Sequence, residues 1–325
     1  MRIFYIILFI STLWGCKQTQ KEEIKQPEKN SPYFYWSVGW HPTKKQFVVG
    51  GMQDTLRLYS STNYQILKNK PYLGTITKTK WHPTKNKLAI AVQDGKSQST
   101  ILDFDTNESV NLDSISTSGA RAIGWNHTGD LLAVGDYKGY LSLFDENGNF
   151  LKKVNTNQKA IIGLDWHPHE NLIVAVGEEI TLYNYKTNTL RNIKDRTEKI
   201  EVLMLCAAWH PGGKFFVTGD YGDFINHYPP LLQYWTYDGQ KIKSIKESKA
   251  EFRNLKWSGD GKLLATASEK IRLWDKNGNL ITQKTTKNLL WGIDWNKNSS
   301  KLVATDEKGK IIFWDRNLNR LKELK

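Results

Sequence analysis

The sequence predicts an all-β chain assembled from seven copies of one four-stranded antiparallel unit. Three observations predict it. Tryptophan recurs at Trp40, Trp81, Trp125, Trp166, Trp209, Trp257 and Trp295, with spacings of 41, 44, 41, 43, 48 and 38 residues, and a period near that length marks a repeat architecture. Each Trp is followed by a short segment rich in reversal-forming residues: HPTKK, HPTKN, NHTGD, HPHEN, HPGGK, SGDGK or NKNSS. Each such segment leads into an apolar, β-prone run such as FVVGG, LLAVG or LLATA.

The elements of one period follow in order. The Trp closes a first strand, a, and the turn after it leads to strand b. A second reversal leads to strand c, written LRLYS, ILDFD, LSLFD, ITLYN, LQYWT, IRLWD and IIFWD in the seven copies. Turns such as ENGN, YDGQ and KNGN then open a weaker strand d, as in NFLKKV or NLITQK. A lone sheet of this kind leaves its faces wet. Seven around an axis cover one another and leave only short edges. A Trp between neighbouring sheets buries ~150–250 Å², or roughly 4–6 kcal/mol of gross burial, so the seven Trp are assigned to structure. Three residues before them stand Ser37, Lys78, Ala122, Gly163, Cys206, Asn254 and Gly292. Six are small, as crowding at an axis demands, and Lys78 is the exception.

A Trp-Asp pair closing strand c, the period and the four-strand unit together resemble the WD-repeat β-propellers. Trp274-Asp275 and Trp314-Asp315 match that pair literally, and Phe104-Asp105 and Phe144-Asp145 nearly so. Tyr59-Ser60, Tyr183-Asn184 and Trp235-Thr236 depart from it, and the Gly-His dipeptide of such repeats is absent, so the family's buried His–Asp network is not carried over. The resemblance implies a seven-bladed propeller over residues 31–325. The ring is expected to close by packing of blade one on blade seven, with an added strand from Ile24–Ser31 as the alternative.

The first residues point outside the cytoplasm. MRIFYIILFISTLWGC has an apolar run from Ile3 to Trp14, too short to cross a ~30 Å hydrocarbon core but suited to a secretory signal. LWGC resembles the bacterial lipobox. The expectation is a signal peptide over residues 1–15, lipidation of Cys16, and a polar flexible tether over 16–30. The absence of Asp after Cys16 resembles lipoproteins sent to the outer membrane, so the chain is placed lipid-anchored in the cell envelope, on the periplasmic or surface side. Cys206 would then be the remaining thiol, leaving no internal disulfide. Within VLMLCAAW it reads as a small buried hydrophobe.

Catalytic and cofactor chemistry find little support. There is no G-x-S-x-G, H-E-x-x-H, glycine-rich phosphate loop or paired C-x-x-C, and no cofactor is expected. His41, His82, His167 and His210 each follow a repeat Trp. Equivalent positions on packed sheets lie on the order of 10 Å apart, too far to share one zinc, so no metal is assigned. Asp220 and Asp223 fall at a b–c hairpin and read as a solvated turn. The net charge is +13, but Arg supplies only 9 of 46 basic residues, and Lys lacks the planar fork suited to phosphate backbones, so nucleic acid is not expected.

A partner is expected at the face carrying the d–a and b–c loops, where propellers resembling this one bind. Four residues before the repeat Trp stand Trp36, Thr77, Arg121, Ile162, Leu205, Arg253 and Trp291. Trp36, Trp291, Arg121 and Arg253 are the candidate contact residues, aromatic and Arg side chains being favoured at hot spots; interblade packing is the alternative. The longest spacing comes from YGDFINHYPPLLQYW, whose b–c hairpin adds Phe224, His227 and Tyr228. The function expected is a non-catalytic scaffold for protein or peptide partners. A propeller enzyme or carbohydrate binder using the channel mouth, or an architectural envelope subunit, are the alternatives, and no oligomeric state is assigned.

Overall fold

The computed structural model describes residues 34–52, 55–95, 98–112, 119–194 and 202–325. The signal segment, Cys16, the tether and Ile24–Ser31 lie outside the described residues. The rest forms seven sheets, each of four consecutive strands paired antiparallel in chain order. Every innermost strand ends on a repeat Trp: Tyr35–Trp40, Gly74–Trp81, Ala120–Trp125, Gly163–Trp166, Met204–Trp209, Asn254–Trp257 and Leu290–Trp295. This is the seven-bladed, four-strand propeller that the repeat predicts.

The core lies between the blades rather than inside any one of them. The described residues contain seven buried apolar clusters, and each joins two neighbouring blades. The last of them closes the ring, setting Tyr35, Val38 and Phe47 against Val303, Ile311 and Phe313. Across the same seam the Trp40 amide donates to Asp294 Oδ2 at 2.8 Å and the Thr305 hydroxyl to the Tyr35 carbonyl at 3.0 Å. Blades one and seven therefore meet face to face, each with four strands of its own.

The indoles show why strand a ends where it does. The Nε1–H of Trp81, Trp125, Trp166 and Trp295 donates to the carbonyls of Gly39, Lys80, Gly124 and Lys256, each on the innermost strand of the preceding blade. At Trp40 and Trp209 the backbone N–H is the linking donor instead, taken by Asp294 and Asp165 at 2.8 Å.

Strand pairing corrects one sequence assignment. Lys87 pairs with Asp103 and Leu88 with Leu102, as Leu131 pairs with Asp145 and Leu132 with Phe144. The counterpart of the Trp-Asp pair in blade two is thus Leu102-Asp103, not Phe104-Asp105. Asp103 Oδ1 accepts the amides of Asp105 and Thr106. In Asp145, Asp275 and Asp315 the same carboxylate accepts two amides and an Asn side chain, which sets the c–d turn.

The four histidines fasten blades together. In His82, Nδ1 accepts the amides of Thr84 and Lys85, so Nε2 carries the proton and donates to the Gly129 carbonyl of the next blade at 3.0 Å. His167 reaches Gly213 and His210 reaches Gly261 in the same way, and His41 reaches the Asn86 side chain. The three acceptor glycines have φ of +85°, +71° and +67°, and a Cβ there would come within 2.7 Å of the ring. A glycine is required for both reasons. In blade three, Asn126 makes the corresponding link, to Asn171 at 2.9 Å.

This arrangement makes stability depend on pH. Burial, the largest cause, holds His41, His82 and His210 below the usual 6.5. The folded pKa lies below the unfolded one, so the contribution is complete above about 6.5 and is lost as pH falls through the folded values. The urea midpoint should therefore drop between about pH 7 and pH 5, and drop less when His41, His82 and His210 are replaced by Asn. An unchanged pH slope in that triple variant would refute the account.

Candidate functional site

The seven side chains four residues before the repeat Trp converge on one cavity at the end of the channel where strand a begins. Trp36, Thr77, Arg121, Ile162, Leu205, Arg253 and Trp291 all line it. The structure thus brings together the four mouth residues that the sequence nominated. The Trp36 and Trp291 rings lie 4.6 Å apart at 53° across the ring-closing seam. The Arg253 guanidinium sits 4.1 Å over Trp291 and that of Arg121 5.3 Å over Trp36. Both are cation–π distances.

These groups are only partly satisfied by the protein itself. Arg253 is paired to Glu251, with side-chain exposures of 16% and 11%. Burial, above all, lowers the Arg121 pKa from its usual value, and Tyr137 offsets this as its hydrogen-bond partner. The Nε1 atoms of Trp36 and Trp291 and the Nε of Arg253 are buried with no acceptor among the described residues. Each such donor costs about 1–3 kcal/mol. The mouth is therefore rich in donors and poor in acceptors.

Size limits what this end can hold. Its cavity is about 40 Å³, whereas pockets for small organic ligands run ≈ 300–1,000 Å³. It offers a contact surface with a shallow central dimple, not a chamber for a free metabolite. No His and no carboxylate line it, and Glu251, which pairs with the lining Arg253, is engaged there.

The long hairpin of blade five rises beside the mouth. Asp220, expected to be solvated, is 1% exposed and caps the hairpin by accepting the amides of Gly222 and Leu231 at 3.0 and 2.8 Å. Asp223 accepts the amides of Ile225 and Asn226, and the Asp223–Tyr228 bridge closes the loop. At the tip Phe224 is 53% and Ile225 89% exposed. His227 is exposed, with φ of +62°, and Tyr228 half-buried. These three nominated loop residues do not line the mouth cavity. Tyr221 joins the two regions: its ring stands 6.0 Å from the Arg253 guanidinium.

Sequence reading missed Glu251, Tyr137 and Tyr221, which hold the arginines in place. It also stopped short at Lys78, whose ammonium crosses the channel from blade two to Asn254 of blade six. The four blade-linking histidines make no metal cluster, and none is present among the described residues.

Comparison with known proteins agrees with this architecture. The profile of the anaphase-promoting complex subunit 4 WD40 domain matches residues 112–169. Human echinoderm microtubule-associated protein-like 2 is 23% identical over 163 residues, covering 49% of this chain and 25% of that protein. Human F-box-like/WD repeat-containing protein TBL1Y is 26% identical over 125 residues, covering 34% of this chain and 23% of that protein. The chain thus spans about a quarter of the length of these relatives.

The Arg253–Glu251 pair yields a direct test. Arg253→Met leaves a buried carboxylate unpaired and should cost about 3–5 kcal/mol in denaturant unfolding. Adding Glu251→Gln should recover most of that loss. If the double variant is no more stable than the single one, the pair does not hold the mouth together.

Proposed function

We propose that this seven-bladed propeller, similar in part to WD-repeat proteins, serves as a non-catalytic binding platform, held by lipid at Cys16 outside the cytoplasm, whose loop face takes a protein or peptide partner. The observation that carries the reading is the convergence of Trp36, Trp291, Arg121 and Arg253 on one shallow mouth. Aromatic and Arg side chains around a small dimple suit a protein surface with one inserted side chain. The unaccepted donors there favour a partner that presents carboxylate or carbonyl oxygens. The exposed Phe224 and Ile225 beside the mouth extend the contact area.

The apolar run before Gly15-Cys16 and the polar stretch after it support export and anchoring in the cell envelope, at the outer membrane. Nucleic acid is not the ligand of this reading, because the basic residues of the mouth are gathered around one small dimple rather than spread along a track. An enzyme or carbohydrate site would need free carboxylates or a His at the mouth, and the Glu251 carboxylate is already paired.

Affinity capture from native membranes tests both parts. The wild-type chain should pellet with membranes and retain a partner, and Phe224→Ala/Tyr228→Ala should pellet equally but lose it. Cys16→Ser should leave the membrane fraction. A loop variant that keeps every partner would remove the loop from the site, and a Cys16→Ser chain that still pellets would remove the lipid.

A further inference from the structure

We propose that the opposite end of the channel, where strand a ends, is a binding chamber for a small, multiply charged oxyanion. The ligand is inorganic phosphate or the phosphate end of a small phosphorylated molecule, held by Lys80 with Lys78, Lys256 and Lys297. This goes beyond the partner site at the loop face and does not depend on it.

The chamber is a cavity of about 230 Å³ formed by blades one, two, six and seven. Four lysines line it: Lys78, Lys80, Lys256 and Lys297. Asp294 is the one carboxylate among its lining residues, and it is already engaged. Its Oδ1 lies 3.2 Å from Lys256 Nζ and its Oδ2 accepts the Trp40 amide at 2.8 Å. Asp165, the other carboxylate whose charge reaches Lys80 and Lys256, accepts the Trp209 amide and does not line the chamber. His41 is held neutral, with Nδ1 accepting backbone amides and Nε2 bonded to Asn86.

This leaves the Lys80 ammonium with no ion pair and no side-chain hydrogen bond among the described residues. Lys78 has only the neutral Asn254 oxygen. The Lys256 side chain keeps 40% of its surface open although it stands inside the ring, as expected of a group facing channel water. Ammonium groups from separate blades thus face one space with too few carboxylates to balance them.

The strain of that arrangement is visible in the amines. Burial first, then the charge of Lys80, hold Lys78 down to about 7. Burial first, then the charge of Lys256, lower Lys80. An oxyanion with more than one negative charge reverses both effects, because an opposite charge favours the protonated form. Ammonium groups bind phosphate as point charges and need no fixed fork, so lysines on two strands and a turn, from three blades, can share its oxygens. The volume leaves room for such an ion with retained waters. A cation is disfavoured by the same charges.

The test uses the full chain, with inorganic phosphate at constant ionic strength, followed by calorimetry and thermal unfolding. Phosphate should bind saturably and raise the melting temperature. Lys80→Met should weaken binding by about tenfold or more, the loss expected on truncating one partner of a charge pair. It should not lower the melting temperature of the phosphate-free chain, since burial and the charge of Lys256 disfavour the Lys80 ammonium more than Asp165 and Asp294 favour it. Lys297→Met, at the exposed rim, should weaken binding less, and Lys138→Met, on an exposed turn, not at all. Tighter binding of glycerol phosphate than of inorganic phosphate assigns the site to a phosphorylated molecule, and the reverse assigns it to the free ion. The proposal is overturned if wild type shows no saturable response or if Lys80→Met keeps the wild-type response. A Lys80-dependent acidic peptide that binds where phosphate does not would also overturn it.

Discussion

The whole molecule depends on the wedge of one indole between each pair of blades. A four-stranded sheet cannot bury both of its faces alone, and its stability comes from what the next sheet covers. The indole at the end of strand a meets that need twice: its ring fills the gap between sheets, and at four seams its N–H reaches the carbonyl of the preceding innermost strand. Because the seventh seam is built like the others, with Phe47 against Phe313 at 5.4 Å, no blade is left at a free end. A closed ring removes the unsatisfied terminal repeats that an open array must cap.

Closure also determines what the axis can contain. Innermost strands crowd together there, and a Cβ on Gly292 would come within 2.9 Å of the Val38 amide of the next blade. Small residues at most of these positions leave room for the few long side chains that do point inward. Lys78 uses that room to reach Asn254 on the far side. The histidines act at the outer end of the same strands, where each ring both caps its own turn and holds the turn of the following blade. Stacking and turn-to-turn links therefore repeat with the same period as the sheets.

Much of this was legible because it repeats. The Trp positions, the four strands and the closing of the ring follow from periodic apolar patterning, which a single sequence displays openly. Departures from the period were harder. In ILDFD two Asp residues compete for one place, and only the pairing of Lys87 with Asp103 shows which belongs to strand c. Asp220 reads as a turn carboxylate, yet the hairpin folds over it until 1% remains exposed. The mouth was found by counting back from each Trp, since a register position is shared by all blades. Tyr137 and Tyr221 share a position twelve residues after Trp125 and Trp209, but no other blade carries a tyrosine there to mark it, and Glu251 sits on a d–a loop outside the strand pattern. The His–Gly links were hidden because each joins two repeats, and the pattern appears only when one turn is read against the next.

The two ends of the channel differ in chemistry because different register positions of the same strands supply them. Four residues before each Trp the chain places indoles and guanidiniums, which stack on one another and leave a dimple. One residue before it, blades two and six place lysines, and blade two places another three residues before it; these repel one another and leave a chamber. Lys78, Lys80 and Asn254 line both cavities, and the Lys78–Asn254 contact lies between them. An anion that recharges Lys78 acts on the charge seen by Arg121, which already feeds into the Lys78 amine. Linkage makes such coupling reciprocal, so a partner that brings a carboxylate to Arg121 would alter the affinity of the chamber by the same factor that the chamber alters the mouth. In a ring whose rigidity comes from interblade packing, that electrostatic route needs no movement of the blades.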